Sequence, residues 1–314
     1  MKRHTFLSSA AAAAALYPQL VEAQAATNLT IAGVPEESIT PALWAAHSGI
    51  FTRNGLNVDV QSQSSGAAIA AGVAGGAYAF GKSSLPSVIT AHSKGIPFVF
   101  VAGGGLYDSR APYVKLVVKT DSPYKTAADL NGKTFAGPAL TDLATVAAKG
   151  WIDQHGGDSS TIKFLEFPFS AVADALAAGR ADVGVIADPG LQMSIDSGKV
   201  RPFGNFFDSV ALQFMNTGWF TTKDYIAANR ETVTRFARSM HESTNFVIAH
   251  QNDTVDILSK FTGVEASFIA KTHRMSYAPI LTARYIQPVI DACAKYKIIP
   301  AAFDAQDLIA PGLT

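Results

Sequence analysis

The chain of 314 residues has a single cysteine, no net charge and no repeat. Each shortage removes a class of protein. One Cys forms no internal disulfide and no multi-thiol metal site, so Cys293 reads as a small buried hydrophobe inside a helical pattern. With 25 Lys and Arg against 25 Asp and Glu, and no basic cluster, the electrostatic footprint of a nucleic-acid binder is absent. Charged residues make up only 16% of the chain, which argues against long solvated tails, while 48% hydrophobic residues suffice for one large or two ordinary domains. The one extended apolar run, Thr5 to Tyr17, is too short for a stable transmembrane helix.

That run has another reading. Lys2, Arg3 and His4 precede it and Ala23-Gln24-Ala25 follows, the order of basic start, apolar middle and small-x-small cleavage site of a secretory signal. Residues 1–25 are therefore expected to be a signal peptide, with the mature chain starting near Ala26 and lying in the periplasm. A lipoprotein anchor is not expected, because no Cys stands at the cleavage point.

Beyond Ala26, short β-rich runs alternate with helical stretches, the pattern of an α/β fold. Strands are expected at Asn28–Ala32, Leu56–Gln61, Tyr78–Phe80 and Phe98–Ala102, with helices at Pro41–Thr52, Ala67–Ala74 and Leu85–Lys94 between them. A composition break at Leu106–Pro112 is followed by a second cycle, with strands at Tyr113–Lys119, Thr134–Ala136, Ile162–Phe167 and Asp182–Ala187. Phe214–Thr221 reads as one more strand. From Thr222 the pattern is helical only. This predicts two lobes: lobe 1 from 26–115 plus 220–314, lobe 2 from 116–219. Tyr113–Lys119 and Phe214–Thr221 would be the crossing strands of a hinge, with the helical return packed on lobe 1.

Catalytic signatures are thin. Gly76-Ala77-Tyr78-Ala79-Phe80-Gly81-Lys82-Ser83 satisfies the phosphate-loop rule, but that motif needs a strand before its first Gly and a helix after it. Here a helical stretch comes first and Ala77–Phe80 is itself the expected strand, so the match is a decoy. The seven His residues show no metal spacing and no Ser elbow exists, so no metal, cofactor or catalytic group is expected. Trp44, Trp151 and Trp219 read as core.

What recurs is a strand end followed by small polar residues at a helix start. Ser64-Ser65-Gly66, Lys82-Ser83-Ser84 and Ala139-Leu140-Thr141-Asp142 all fit. Free N–H groups at such starts hold polar or anionic ligands, and in open α/β sheets ligands gather at the carboxyl ends of strands. Each of Ser65, Ser84 and Thr141 is equally suited to capping its own helix.

The stretch Thr30 to Gly55, the Ser65-Gly66-Ala67 start, Leu85-Pro86, and Ala175 to Asp182 followed by Ala187-Asp188-Pro189 resemble the periplasmic solute-binding proteins of nitrate, sulfonate, taurine and thiamine-precursor ABC importers. The similarity continues through Gly218-Trp219-Phe220 and Ala227 to Glu231. The resemblance implies a two-lobed type II periplasmic binding protein, not an enzyme, that closes over a small polar or anionic organic molecule such as a sulfonate or carboxylate. It would act as a monomer and deliver its ligand to an inner-membrane permease. It implies ligand contacts at Glu37 and Ser38 in the loop after the first strand, at Ser65, Gly66, Lys82, Ser83, Ser84, Thr141 and Asp142, and at Asp188. Many relatives carry aromatics beside that acidic-Pro pair where this chain has Ala187 and Gly190, which cuts back the cleft wall. Lys82 and Arg110 would suit an anion; Glu36, Glu37 and Asp188 would suit an amine or amide. Relatives that make a thiamine pyrimidine use a His and a Cys-rich motif that Cys293 alone does not supply, so binding or synthesis of such a precursor is the alternative.

Overall fold

The computed structural model describes residues 26–138, 142–188 and 190–313. The expected signal peptide and Thr141 lie outside the described residues.

The chain begins with β1 (Thr27–Gly33), α1 (Thr40–His47), α2 (Ile50–Arg53), β2 (Leu56–Ser62), α3 (Gly66–Ala74), β3 (Phe80–Ser84), α4 (Leu85–Ser93) and β4 (Phe98–Gly103). It continues through β5 (Gly105–Asp108), β6 (Val114–Lys119), β7 (Thr134–Gly137), α5 (Leu143–Gln154), β8 (Lys163–Glu166), α6 (Phe169–Ala177), β9 (Val183–Ala187), α7 (Gly190–Asp196) and β10 (Val200–Gly204). The last part holds β11 (Gln213–Met215), β12 (Thr217–Thr222), α8 (Lys223–Ala228), α9 (Arg230–Ala249), α10 (Val255–Thr262), α11 (Ala266–Ile269), β13 (Ser276–Tyr277) and α12 (Ala283–Lys295).

Two five-stranded sheets form the two lobes, in the orders β2-β1-β3-β12-β4 and β10-β6-β9-β7-β8. In the first, β1 runs parallel to β2 and β3, and β12 is antiparallel to β3 and β4. In the second, β7 is parallel to β8 and β9, and β6 is antiparallel to β9 and β10. Pro202 sits on β10, an edge strand, where its missing N–H costs no ladder bond.

The crossing differs in detail from the sequence expectation. Val114–Lys119 belongs wholly to the second sheet and Thr217–Thr222 to the first. The chain passes between lobes through β5 and β11, which pair antiparallel and are joined by β13 in a small third sheet. These strands are two to four residues long, too short to show a period of two in the sequence. The expected helix Pro41–Thr52 is split, because Gly49 takes a left-handed conformation (φ 76°) between α1 and α2.

Helix α9 packs on α1, α2 and the first sheet, while α12 touches α4 of the first lobe, α5 of the second and β11. A continuous apolar cluster therefore runs from Phe98, Phe100 and Phe220 through Tyr107 and Phe214 to Leu116, Phe135 and Trp151, with Ile286, Val289 and Cys293 of α12 within it. Trp219 is fully buried in a second cluster under α9, and Trp44 is half-buried and stacked on Phe246.

Candidate functional site

The carboxyl ends of β1, β3, β7 and β9 carry the residues of interest. The turn after β1 places Glu36, Glu37 and Ser38 at the start of a 3-10 turn, Glu37–Ile39. Successive residues of such a turn point about 120° apart, and the two acids part company. Glu37 accepts from Arg274 Nε at 2.5 Å, with the Tyr277 hydroxyl donating to its backbone carbonyl at 3.1 Å. Glu36 turns the other way, toward Lys82.

Lys82 departs from the helix-start position read from the sequence. Strand β3 runs on to Ser84, so Lys82 lies within the sheet opposite Trp219 of β12. Its side chain is 1% exposed and its ammonium donates to Glu36 Oε1 at 2.6 Å and to Ser38 Oγ. Ser38 Oγ in turn donates to the same Glu36 oxygen at 2.7 Å. Gly33, the last residue of β1, leaves room for Ile39 first and for the lysine second: a Cβ there would lie 2.6 Å from Ile39 Cδ1 and 3.3 Å from Lys82 Cε. Burial raises the Glu36 pKa, but the charge and hydrogen bond of Lys82, helped by Ser38, outweigh it and hold the carboxyl below its ordinary value.

Arg110 is likewise engaged. Its guanidinium binds Asp108 through Nε at 2.9 Å and Nη2 at 2.5 Å, and Gln213 Nε2 donates to the same acid at 2.8 Å. These bonds hold Asp108 far below the usual carboxylate range.

The small polar residues divide between capping and open roles. Ser65 caps α3, accepting from Ala68 N at 3.3 Å, and Asp142 caps α5, accepting from Ala144 N at 2.8 Å. Ser84 shares a 2.8 Å hydrogen bond with Ser87 and caps nothing. Ser83 is 3% exposed and its hydroxyl has no partner among the described residues. A Cβ on Gly66 would come within 2.4 Å of that hydroxyl, so only glycine lets the first turn of α3 approach β3 so closely.

Tyr113 and Asn216 occupy the passage between the lobes. Asn216 Nδ2 donates to the Tyr113 hydroxyl, the Asn216 carbonyl accepts from Leu85 N at the start of α4 (2.9 Å), and the Tyr113 carbonyl accepts from Asp188 N (2.7 Å). Asn216 Oδ1 is buried without a partner among the described residues. The Tyr113 pKa is raised by burial and by the charges of Glu36 and Asp142, which approach it from opposite lobes. Asp142 is itself pushed up by burial and then by Glu36, against the pull of its helix-capping bonds. Burial also raises Asp188, against Gln192 N–H, His273 and Lys115. Glu36, Asp142, Tyr113 and Asn216 thus act on one another at the passage between the lobes, and Asp188 is tied to them through the Tyr113 carbonyl; Ser83 and Gly66 meet on the first lobe, while Glu37 and Arg110 are bound elsewhere. Tyr113, Asn216 and His273 were not read as site residues: the first two lie inside the expected strands Tyr113–Lys119 and Phe214–Thr221, and His273, whose charge acts on Asp188, carries no local signal.

Residues 36–254 match the family model described as NMT1/THI5 like. The chain belongs to the NMT1/THI5-like family. Among curated proteins it is similar to the formylaminopyrimidine-binding protein of Halalkalibacterium halodurans, 23% identical over 216 residues, which are 68% of this chain and 64% of that protein. The match thus spans just under two thirds of that relative's length. Among solved structures it resembles the periplasmic aliphatic sulphonate binding protein SsuA from Escherichia coli, with a TM-score of 0.74 at 19% identity over 90% of this chain and 92% of that one. It also resembles the desulfurization enzyme DSZB, with a TM-score of 0.66 at 13% identity over 91% and 97% of the two chains. At these identities the likeness establishes the fold of this NMT1/THI5-like chain: the periplasmic binding protein architecture of two α/β lobes. Among the described residues no helix is long and apolar enough to cross a membrane, and no His, Cys, Asp and Glu group could hold a metal.

Proposed function

We propose that this protein is the solute-binding component of an ABC importer, exported to the periplasm without a lipid anchor, and that it captures a small polar or anionic organic molecule between its lobes. The observation that carries the reading is the convergence of loops from both sheets on Tyr113 and Asn216, at the passage between them. The sulphonate-binding neighbour and the formylaminopyrimidine-binding relative support it. Lobe 1 would comprise 26–115 and 220–314 and lobe 2 would comprise 116–219, each carrying half of the ligand's contacts. Ligand that touches both lobes favours the closed state by its differential affinity, and the closed monomer docks on a membrane permease.

Binding without turnover is the favoured activity. Cys293 is buried and its thiol is pushed up to about 12, chiefly by burial, which removes the one sulfur nucleophile from use. DSZB is an enzyme on this fold, so ligand recovered intact from the protein is the decisive check. The second reading, a thiamine-pyrimidine precursor, is favoured by Lys82: its charge is already matched by Glu36, which leaves acceptors rather than a free cation on this wall.

The test is a thermal scan of residues 26–314 against sulfonates, carboxylates and aminopyrimidines, with X-ray scattering of the same samples. Ligand at about 100 times its dissociation constant stabilises by roughly 2.7 kcal/mol. A rise in Tm with a smaller radius of gyration is the expected result. Stabilisation without contraction, or conversion of the ligand, would refute the reading.

A further inference from the structure

Resting on the cleft part of that reading and replacing its anionic ligand by a cationic one, we infer that the Glu36 carboxylate is the ligand-recognition group of lobe 1, that Lys82 and Ser38 are its positioning residues, and that the ligand presents a protonated amine or amidine to it. Lys82 rises from the middle of the sheet, is almost wholly buried, and spends its charge on one oxygen, Oε1 of Glu36, which Ser38 also binds. An ammonium so placed meets a ligand poorly. It fixes a carboxylate well, because two donors on Oε1 lock the side-chain torsions and leave the second oxygen to point outward. Oε2 has no hydrogen-bond partner among the described residues, and the Glu36 side chain is 48% exposed.

The facing wall has the same character. Asp142 comes from lobe 2 at the start of α5, its pKa is raised in part by the Glu36 charge, and no cation is paired with it among the described residues. Asn216 Oδ1 adds a buried acceptor beside Tyr113 without a donor. Asp188 faces Lys115 and His273, and is therefore already compensated in part. Closing the lobes without a ligand brings Glu36 and Asp142 together with like charges. A cationic group between them turns that repulsion into two attractions, which couples recognition to closure. A sulfonate placed there meets two carboxylates, while the lysine that would answer it lies behind one of them.

The probes are benzylamine and benzamidine against benzenesulfonate and benzoate, which share a ring and differ in charge. Each is titrated calorimetrically into residues 26–314 at pH 7, with scattering to read closure. The two cations are expected to bind and contract the protein, and Glu36→Gln to weaken them about tenfold to hundredfold, as loss of a charged hydrogen-bond partner does. Glu36→Asp, which keeps the charge but falls short by one methylene, should lie between, and guards against misfolding of the glutamine variant. Lys82→Met should weaken benzylamine and move its binding profile to higher pH, because the carboxylate loses the cation that keeps it ionised; a purely structural lysine would leave that profile in place. Contraction with benzenesulfonate and not with benzylamine would overturn this inference and leave the cleft reading standing. Benzylamine bound without contraction would overturn the cleft reading itself. Benzylamine binding equally well to wild type and Glu36→Gln, or no binding of either cation, would overturn the inference.

Discussion

Removing the Glu36 charge should expose how much the fold depends on it. In Glu36→Gln the ammonium of Lys82 keeps its place in the sheet with Ser38 and an uncharged amide oxygen as its remaining partners. Stripping one partner from a fully buried pair costs about 3–5 kcal/mol, because the other charge stays desolvated. Here the cation is buried but the acid side chain is 48% exposed, so water already screens the pair; roughly half the cost, about 2 kcal/mol, is the expected loss. For a chain of this size that lowers Tm by roughly 3 °C. Calorimetry of ligand-free protein at pH 7 reads it directly. The double variant Glu36→Gln/Lys82→Met should recover most of the loss, since it removes the stranded charge together with its partner. A Glu36→Gln Tm within about 1 °C of wild type, or a double variant no better than the single one, would refute the claim that these charges hold each other. The pH dependence has a definite sign: the folded Glu36 pKa lies below its ordinary 4.5, so its contribution is present above that value and fades as pH falls through the folded pKa. The gap between wild type and Glu36→Gln should shrink in acid.

Asp142 runs in the opposite sense. Its folded pKa is raised above 3.8, so its contribution is full below that pH and is lost as pH rises through the folded value. Because Asn caps helices as well as Asp does, Asp142→Asn should raise Tm at pH 7 and leave it nearly unchanged at pH 3.5, as thermal scans at both pH values would show. Cys293, buried and with its thiol pushed up to about 12, should resist thiol reagents at pH 8 and react at the rate of unfolding. Rapid labelling of the folded protein would mean that α12 opens locally.

Much of the architecture was legible because periodicity survives in long elements. Most strands of the two sheets and the helical return were visible, since seven-residue strands and a twenty-residue helix repeat their pattern often enough to be read, whereas β10, an edge strand holding Pro202, was not. The connecting sheet was not, because β5, β11 and β13 are set by pairing with one another and carry no pattern of their own. Lys82 was misplaced for a related reason. Phe80-Gly81-Lys82-Ser83-Ser84 contains no β-branched residue, and what keeps it extended is the ladder to β12 on one side and β1 on the other. Gly81 suits that position because a Cβ would strike Ile69 of α3 at 2.5 Å, a packing fact that composition cannot carry. The two neighbouring acids after β1 looked equivalent in sequence; the 3-10 turn separates them, and their partners stand 46 and 237 positions further along the chain. Charge balance at the site is thus a property of long-range contacts, which no local motif records.

The place of β12 has a further consequence, for the timing of folding. It lies between β3 and β4 in the first sheet, yet it is made more than a hundred residues after either, once the whole second sheet has been synthesised. Until then β4 has no strand beside it, and the Lys82 side of β3 is unmatched. Such a sheet must close a very long loop before its central pairings form, which makes folding slow. The nascent chain would stay threadable until most of it exists, a delay that suits the export proposed above.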